Sequence, residues 1–230
     1  MLQFPLKSVL SGSFLCCFKK QNDIQHLHFI LNLTVILGDF CWIGKNNKFG
    51  TNEGQQRANE LRKRINCRNV FLIYGNHDDR KILSPLFSAC YDQHMWNING
   101  QKVFTSHYPC RTWDSAYHGA YMLYGHTHAS LSPEDNGELL SYDKEIYSKG
   151  FTDVLKKHGL AANQNIIQDL LKVAASTKGI NLTLDVGVDN CRKGLPFGTP
   201  WSMDDVHAYM NKKKPKWIER NFHSNIKDQV

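Results

Sequence analysis

In Phe71-Leu72-Ile73-Tyr74-Gly75-Asn76-His77-Asp78, a run of β-forming residues stops at a glycine. An amide, an imidazole and a carboxylate follow that glycine directly. A short apolar run with such a boundary is typical of a buried strand, and sheets present ligand-binding side chains at the carboxyl ends of their strands. We therefore predict a strand over 70–74 that delivers these polar groups to a binding site.

The same arrangement occurs at two further points of the chain. Thr34-Val35-Ile36-Leu37-Gly38-Asp39 ends in a carboxylate, and Tyr121-Met122-Leu123-Tyr124-Gly125-His126-Thr127-His128 ends in two imidazoles. A fourth strand follows the hairpin signal Asn99-Gly100 and ends at His107. An apolar strand followed by glycine and a potential ligand is unlikely to occur three times by chance. We therefore interpret these strand ends as parts of one metal site.

The strand ends supply one carboxylate, one amide oxygen and three imidazoles: Asp39, Asn76, His107, His126 and His128. This donor set suits borderline divalent ions such as Mn²⁺, Fe²⁺, Zn²⁺ or Ni²⁺, whereas Ca²⁺ prefers oxygen ligands. Two such ions about 3.5–4 Å apart can hold a phosphoryl group and activate a water. His77 adjoins Asn76 and is placed to protonate the leaving oxygen. Taken singly, Asp39 and Asn76 would be ordinary turn residues, so the interpretation depends on their occurring together.

Four motifs, in chain order, resemble the calcineurin-like metallophosphoesterase superfamily, and in particular its small prokaryotic and phage-type members. They are Gly38-Asp39, Gly75-Asn76-His77-Asp78, Ser106-His107 and Gly125-His126-Thr127-His128. The resemblance extends over about 34–128, and the later segment 184–189 resembles the closing strand of those members. It implies an α/β (α+β) fold in which a β-sandwich is flanked by helices in four layers.

The resemblance also implies a role for each site residue. Asp39 would bridge two metal ions, and His128 would serve one of them. The other ion would be held by Asn76, His107 and His126. His77 would be the catalytic imidazole, acting as general acid.

One motif of the superfamily has no counterpart before Gly38-Asp39, where its members carry it. Its members normally open with Asp-x-His, and the nearest segment of this chain is Gln25-His26-Leu27-His28-Phe29. Two hypotheses stay open: a metal-dependent hydrolase of phosphoric monoesters or diesters with two ions, or a degenerate phosphoesterase fold with one ion that acts as a binding or interaction protein. Trp42-Ile43-Gly44 stands where protein Ser/Thr phosphatases have Asp-Arg-Gly, which argues against that branch.

The composition predicts a soluble cytoplasmic protein. Of the 230 residues, 41% are hydrophobic and 21% charged, and the seven cysteines lack the repeated spacing of a disulfide scaffold or metal site. No apolar run approaches the roughly 20 residues of a membrane span. The net charge of +7 suits a phosphorylated small molecule or a nucleotide, and Arg111 is a candidate substrate ligand because guanidinium binds phosphate. Nucleic acid is an alternative partner without a recognisable motif to support it.

Patterns along the chain suggest its organisation. We predict a degenerate first-strand region over 1–30, the metallophosphoesterase domain over 31–211 and a basic tail over 212–230. Within the domain, apolar stripes predict helices over 55–66 and 203–211 and a helical insertion near 145–177, and strict alternation predicts a strand over 182–188. Asp189 and Asn190 after that strand are interpreted as turn residues.

Overall fold

A computed structural model describes residues 15–18, 33–41, 51–178, 181–190 and 194–223. The chain is organised as two compact units. The first combines Met1–Ala129 with Thr183–Met210, and the second combines Ser130–Leu182 with Asn211–Val230. The predicted domain boundaries at 31 and 211 stay predictions.

The described residues form nine strands, six α-helices and two short 3₁₀ turns. In chain order these are β1 (Leu15–Phe18), β2 (Leu33–Leu37), α1 (Thr51–Arg64), β3 (Asn69–Ile73), α2 (Arg80–Leu83), a 3₁₀ turn (Ser84–Leu86), β4 (Ala89–Tyr91), β5 (Gln93–Ile98), β6 (Gln101–Ser106), a second 3₁₀ turn (Ala116–His118), β7 (Tyr121–Tyr124), α3 (Ser132–Asp135), α4 (Ser141–Lys157), α5 (Gln164–Lys178), β8 (Thr183–Asp185), β9 (Trp201–Ser202) and α6 (Met203–His223). The chain is therefore mixed α/β with two sheets, as the predicted class requires.

The first sheet has the order β4-β3-β2-β1-β9. β2 and β3 pair in parallel from Leu33 opposite Asn69 to Leu37 opposite Ile73, so their carboxyl ends lie side by side. Ile36 of β2 and Val70 and Leu72 of β3 are buried, and they belong to one apolar cluster with Ala58 of α1. This sheet positions Asp39 and Asn76 at the same edge.

The second sheet has the order β5-β6-β7-β8. The predicted hairpin is confirmed, because β5 and β6 are antiparallel and Ile98 lies opposite Gln101. Asn99 and Gly100 have φ values of 51° and 84°, as the sharp two-residue turn requires. β6, β7 and β8 run parallel, so the residues after their carboxyl ends also share one edge.

The helical insertion near 145–177 is confirmed as the two helices α4 and α5. The strand predicted over 182–188 is wrong in extent, because β8 covers only Thr183–Asp185. All residues over 182–187 are buried, so the alternation does not mark one solvated face. The backbone turns after β8, where Gly187 N–H donates to the Asp185 carboxylate (2.7 Å).

The segment predicted as a basic tail begins as helix. α6 continues from 211 to His223, because Lys213 and Trp217, one turn apart, are both buried. The segment Gln25–Phe29, compared above with the opening motif, lies outside the described residues. Among the described helices, none combines the length and the apolar character needed to cross a membrane.

Lys213 provides a test of the second unit, in which both it and Asp135 are buried. Burial lowers the pKa of Lys213 to about 8, and the Asp135 charge opposes part of that effect. The unfolded chain therefore holds this proton more tightly between pH 8 and 10.5. Below pH 8 the destabilisation is fully present, and as pH rises through this window it is relieved by up to about 3 kcal/mol.

We expect the free energy of unfolding of Lys213→Met, relative to the wild type, to fall as pH rises from 8 to 10.5, because only the wild type gains this stability. Urea unfolding followed by circular dichroism at several pH values measures it. Lys212→Met, at an exposed position of the same helix turn, is the control and should track the wild type. Parallel curves for all three proteins would contradict the prediction.

Candidate metal centre

The centre lies where the carboxyl ends of strands from both sheets of the first unit meet. Leu37 ends β2, and His107 follows β6. His107 Nδ1 lies 2.7 Å from the Leu37 carbonyl oxygen in a buried hydrogen bond. The next strand, β7, is tied to the same place, because the backbone N–H of His126 donates to the His107 carbonyl (3.0 Å).

The glycines before the polar residues are required by close approach. Gly38 has φ +90°, and a Cβ there would overlap Nδ1 of His107. A Cβ at Gly75 would overlap the Asp39 carboxylate. Asp39 itself has φ 52°, a left-handed conformation that side chains other than glycine, Asn and Asp rarely adopt. The strand-glycine-ligand pattern of the sequence therefore has a steric cause.

Three side chains converge on one atom of a fourth, Nε2 of His107. Asn76 Oδ1 lies 3.0 Å from it, His126 Nδ1 also 3.0 Å, and Asp39 Oδ2 3.3 Å. Asp39, His107 and His126 offer ligand atoms that all lie within 4.8 Å of one another. The structure thus brings together four of the five predicted ligands.

The protonation of His107 follows from its partner. A carbonyl oxygen only accepts hydrogen bonds, so Nδ1 carries the hydrogen and a neutral His107 keeps a lone pair on Nε2. In the neutral form that lone pair faces Nδ1 of His126, which can donate a hydrogen to it, and in the protonated form Nε2 donates to the Asp39 carboxylate. A hydrogen on Nε2 can form a hydrogen bond to one of these neighbours at a time. A cation can accept electron pairs from all of them.

The donor spacing also fits a cation. Two atoms that bind one ion at about 2.1 Å and at right angles lie about 3.0 Å apart. The contacts of 3.0, 3.0 and 3.3 Å around Nε2 agree with that spacing. Two imidazoles, a carboxylate and an amide oxygen form a mixed nitrogen and oxygen set that suits Mn²⁺, Fe²⁺, Zn²⁺ or Ni²⁺.

The pKa values of the cluster reflect its charges. Burial would raise the pKa of Asp39, but the hydrogen bonds from His107 and the His77 N–H outweigh burial and lower it. Burial would lower the pKa of His107, but Asp39 and the Leu37 carbonyl raise it. Burial and the neighbouring His107 lower the pKa of His126, which favours the neutral ligand form.

Asp78 fastens the two loops that carry Asp39 and Asn76, a role that sequence reasoning missed. Its carboxylate accepts N–H groups from Gly75 (2.8 Å), Asp39 (3.0 Å) and Phe40 (2.8 Å). Burial raises the pKa of this carboxyl to about 6 despite the three donors. No local sequence pattern predicts a hydrogen bond between residues that lie 39 positions apart, such as Asp39 and Asp78.

His128 has a different partner from the four converging residues. It is exposed, with φ 50°, and its Nδ1 contacts the Asp189 carboxylate at 2.5 Å. Asp185 supports the same loop, because its carboxylate accepts from the Thr127 hydroxyl (2.6 Å) and the Ala129 N–H (2.9 Å). The sequence interpretation assigned neither aspartate to the site, and Asp189 is a partner of His128 as well as a turn residue.

The remaining predicted residues are His77, which contacts the cluster, and Arg111. His77 donates its backbone N–H to Asp39 Oδ1 (3.0 Å), and its side chain is partly exposed. Tyr108, 47% exposed, rests its ring 4.5 Å from that of His126. Arg111 is exposed in the loop after β6, and its role as a phosphate ligand stays a prediction.

Comparisons with known proteins identify no family. Neither a protein-family model nor a curated protein matches the sequence. One similar solved structure is AQ665 from Aquifex aeolicus, a protein of unknown function that is 27% identical and has a TM-score of 0.29. The match covers 40% of this chain and 54% of that protein, so this chain spans about half the length of AQ665. A TM-score this low carries no argument about fold or function.

Asp78→Asn tests the role of the buried carboxylate. The amide would place an NH₂ group against at least one backbone N–H, so we expect a loss of about 1–3 kcal/mol in the free energy of unfolding. Urea unfolding monitored by fluorescence measures it. The control is Asp92→Asn, which breaks an exposed ion pair with Arg80 and should cost at most about 1 kcal/mol. Equal losses in the two variants would show that Asp78 is no more important than a surface carboxylate.

Asn76→Ala tests whether the converging atoms bind metal. The side chain is exposed, so its removal should leave the fold intact. We expect a weaker Mn²⁺ affinity by about tenfold or more, because one ligand of the ion is lost. Isothermal titration calorimetry of the full chain measures the affinity. Asn66→Ala, at another exposed asparagine, should bind as the wild type does, and an unchanged affinity in Asn76→Ala would exclude the amide as a ligand.

Proposed function

We propose that this chain is a metal-dependent hydrolase of phosphoric esters with a calcineurin-like metallophosphoesterase fold. The observation that supports the proposal is the convergence of Asp39, Asn76 and His126 on the lone-pair side of His107, with His77 beside them. Asp39 and His107 are buried, and the set stands at an edge where sheets commonly bind ligands, with Asn76 exposed toward the solvent from which a cation would enter.

These four residues would hold the ion. A divalent cation, when bound, polarises a phosphoryl oxygen and lowers the pKa of a water, which makes hydrolysis possible near neutral pH. The residues of the chain orient the side chains that would bind the ion. Leu37 fixes the His107 ring through Nδ1, and Asp78 fixes the loops that carry Asp39 and Asn76.

His77 is the proposed general acid. Its backbone N–H is held by the Asp39 carboxylate, so the residue stays at the edge of the cluster. Its imidazole is partly exposed and can approach a bound ester. An imidazolium at this position would donate its proton to the leaving oxygen as the ester bond breaks, and this avoids the release of an unprotonated alkoxide.

The proposed substrate is an anionic ester. The net charge of +7 favours the approach of a phosphorylated small molecule or a nucleotide. Arg111 would contact the phosphate if the loop after β6 borders the bound substrate. Monoesters and diesters are both compatible with this chemistry.

A second candidate is a degenerate phosphoesterase that binds one ion and does not turn over. The lack of an Asp-x-His motif before Gly38-Asp39 favours it, because that motif would supply ligands to one of the two ions. Elemental analysis of the Mn²⁺-loaded protein, combined with an activity assay, distinguishes the two candidate functions. Two equivalents with turnover support the hydrolase, and one equivalent or none without turnover supports the binding protein.

His77→Ala tests the proposed chemistry. With Mn²⁺ we expect the wild type to hydrolyse phenyl phosphate or diphenyl phosphate, whose phenolate leaving groups are basic enough to need a proton. In the variant, kcat should fall by about 10²–10⁴-fold, because proton donation to the leaving group is lost, while Mn²⁺ affinity is retained. The control is His118→Ala, an exposed histidine that should keep full activity. Undiminished turnover in His77→Ala, or turnover without metal, would overturn the proposal.

A further inference from the structure

Tyr108 presents an exposed aromatic ring beside the candidate metal centre. It directly follows His107, and its ring lies 4.9 Å from the His107 ring and 4.5 Å from the His126 ring. His107 is 1% exposed, whereas Tyr108 is 47% exposed. The tyrosine therefore contacts two of the four donor residues and still keeps a large part of its surface open to the solvent.

Another aromatic residue next to a donor is placed quite differently. Phe40 follows Asp39 in the chain, as Tyr108 follows His107. Phe40 is buried, and its ring packs edge-on against the Phe87 ring at 5.1 Å within an apolar cluster. Packing in the core therefore explains the aromatic residue after Asp39, whereas Tyr108 keeps ring surface that a ligand can reach.

The segment that carries Tyr108 is anchored on both sides of this residue. Cys110 packs against the apolar cluster that contains Trp113, and the indole N–H of Trp113 donates to the Ala120 carbonyl (3.1 Å). On the other side, the His107 ring is held by its buried hydrogen bond (2.7 Å) to the end of β2. A side chain on a segment fixed in this way loses little conformational freedom when it contacts a ligand.

The position of Tyr108 bears on the organic part of an ester. An ester whose phosphate is bound at the four donor residues would extend its organic group into their surroundings, and Tyr108 borders these donors through His107 and His126. Aromatic rings pair with their centroids about 4.5–7 Å apart and gain stability beyond the area that they bury. A planar ring in the organic group would therefore gain more from Tyr108 than a short aliphatic chain would.

We propose that Tyr108 is a specificity-determining residue, which stacks on an aromatic ring in the organic group of the phosphoric ester. The preferred substrates would then be esters whose organic group carries a planar ring, in preference to phosphates of short aliphatic alcohols. The inference rests on the proposed hydrolytic function. Its test therefore measures ligand binding as well as turnover, so that the failure of one can be told from the failure of the other.

Phosphonates test the proposal without turnover, because their phosphorus is bonded to carbon in place of the ester oxygen. Isothermal titration calorimetry of the Mn²⁺-loaded full chain gives the dissociation constants of phenylphosphonate, benzylphosphonate and methylphosphonate. In Tyr108→Ala we expect the dissociation constant of at least one aromatic phosphonate to rise by about 5- to 50-fold, because stacking is lost. The constant of methylphosphonate should change by less than about twofold. Tyr108→Phe keeps the ring and should bind all three ligands as the wild type does.

Tyr117→Ala is the matched control, because it removes the ring of a tyrosine that is 71% exposed in the same unit. It should bind every ligand as the wild type does. The Mn²⁺ affinity of each variant is measured in the same instrument. If Tyr108 merely supports the donor imidazoles, Tyr108→Ala would weaken the binding of Mn²⁺ and of all three phosphonates alike, and this result would overturn the proposal. Unchanged affinity of Tyr108→Ala for both aromatic phosphonates would also overturn it.

Turnover of phenyl phosphate and methyl phosphate separates this inference from the proposed function. Aromatic phosphonates that bind through Tyr108 to a protein without turnover would support the inference and contradict the hydrolase. Turnover with no change in kcat/KM for either ester in Tyr108→Ala would support the hydrolase and contradict the inference. A wild type that binds none of the three phosphonates would overturn the inference, whatever its activity.

Discussion

The hydrogen bond between the His107 ring and the Leu37 carbonyl organises the candidate centre. It joins the carboxyl end of β2 in one sheet to the carboxyl end of β6 in the other. Because it occupies Nδ1, it also leaves the lone pair of Nε2 for a ligand. Metal-binding histidines commonly donate their other N–H to a carbonyl or carboxylate in this way. One bond therefore fixes the position, the orientation and the tautomer of the central imidazole.

The loops that carry the other donors are held by two further carboxylates, those of Asp78 and Asp185. Asp78 accepts backbone N–H groups from the loops after β2 and β3, and Asp185 accepts from the loop after β7 and from its own turn. Loop N–H groups near a buried site need acceptors, and these two side chains supply them over long sequence separations. The centre thus consists of four donor side chains and of two carboxylates that hold the loops carrying them.

Local features of the fold were predictable from the sequence, whereas long-range partners were not. The strand before Gly75, the turn at Asn99 and the helical insertion follow from short-range patterns that the structure reproduces. The continuation of α6 past 211 was missed, since a lysine-rich segment gives no sign that Lys213 is buried. Asp78 and Asp185 were missed as loop anchors for a related reason. Their partners are distant in sequence. An aspartate after a strand gives the same sequence pattern whether it caps a turn or accepts hydrogen bonds from three distant N–H groups.

Polar groups in the interior of a protein need partners, and the kind of partner differs between the second unit and the candidate centre. In the second unit, the buried Lys213 and Asp135 carry opposite charges that offset part of each other's desolvation. Around Nε2 of His107, the neighbouring oxygens are acceptors that face a lone pair. Hydrogens can satisfy these contacts in one arrangement at a time, either through a proton on Nε2 that is donated to Asp39 or through a hydrogen donated to Nε2 by Nδ1 of His126. A bound cation would instead accept an electron pair from each of these groups at once, which is the role proposed for it.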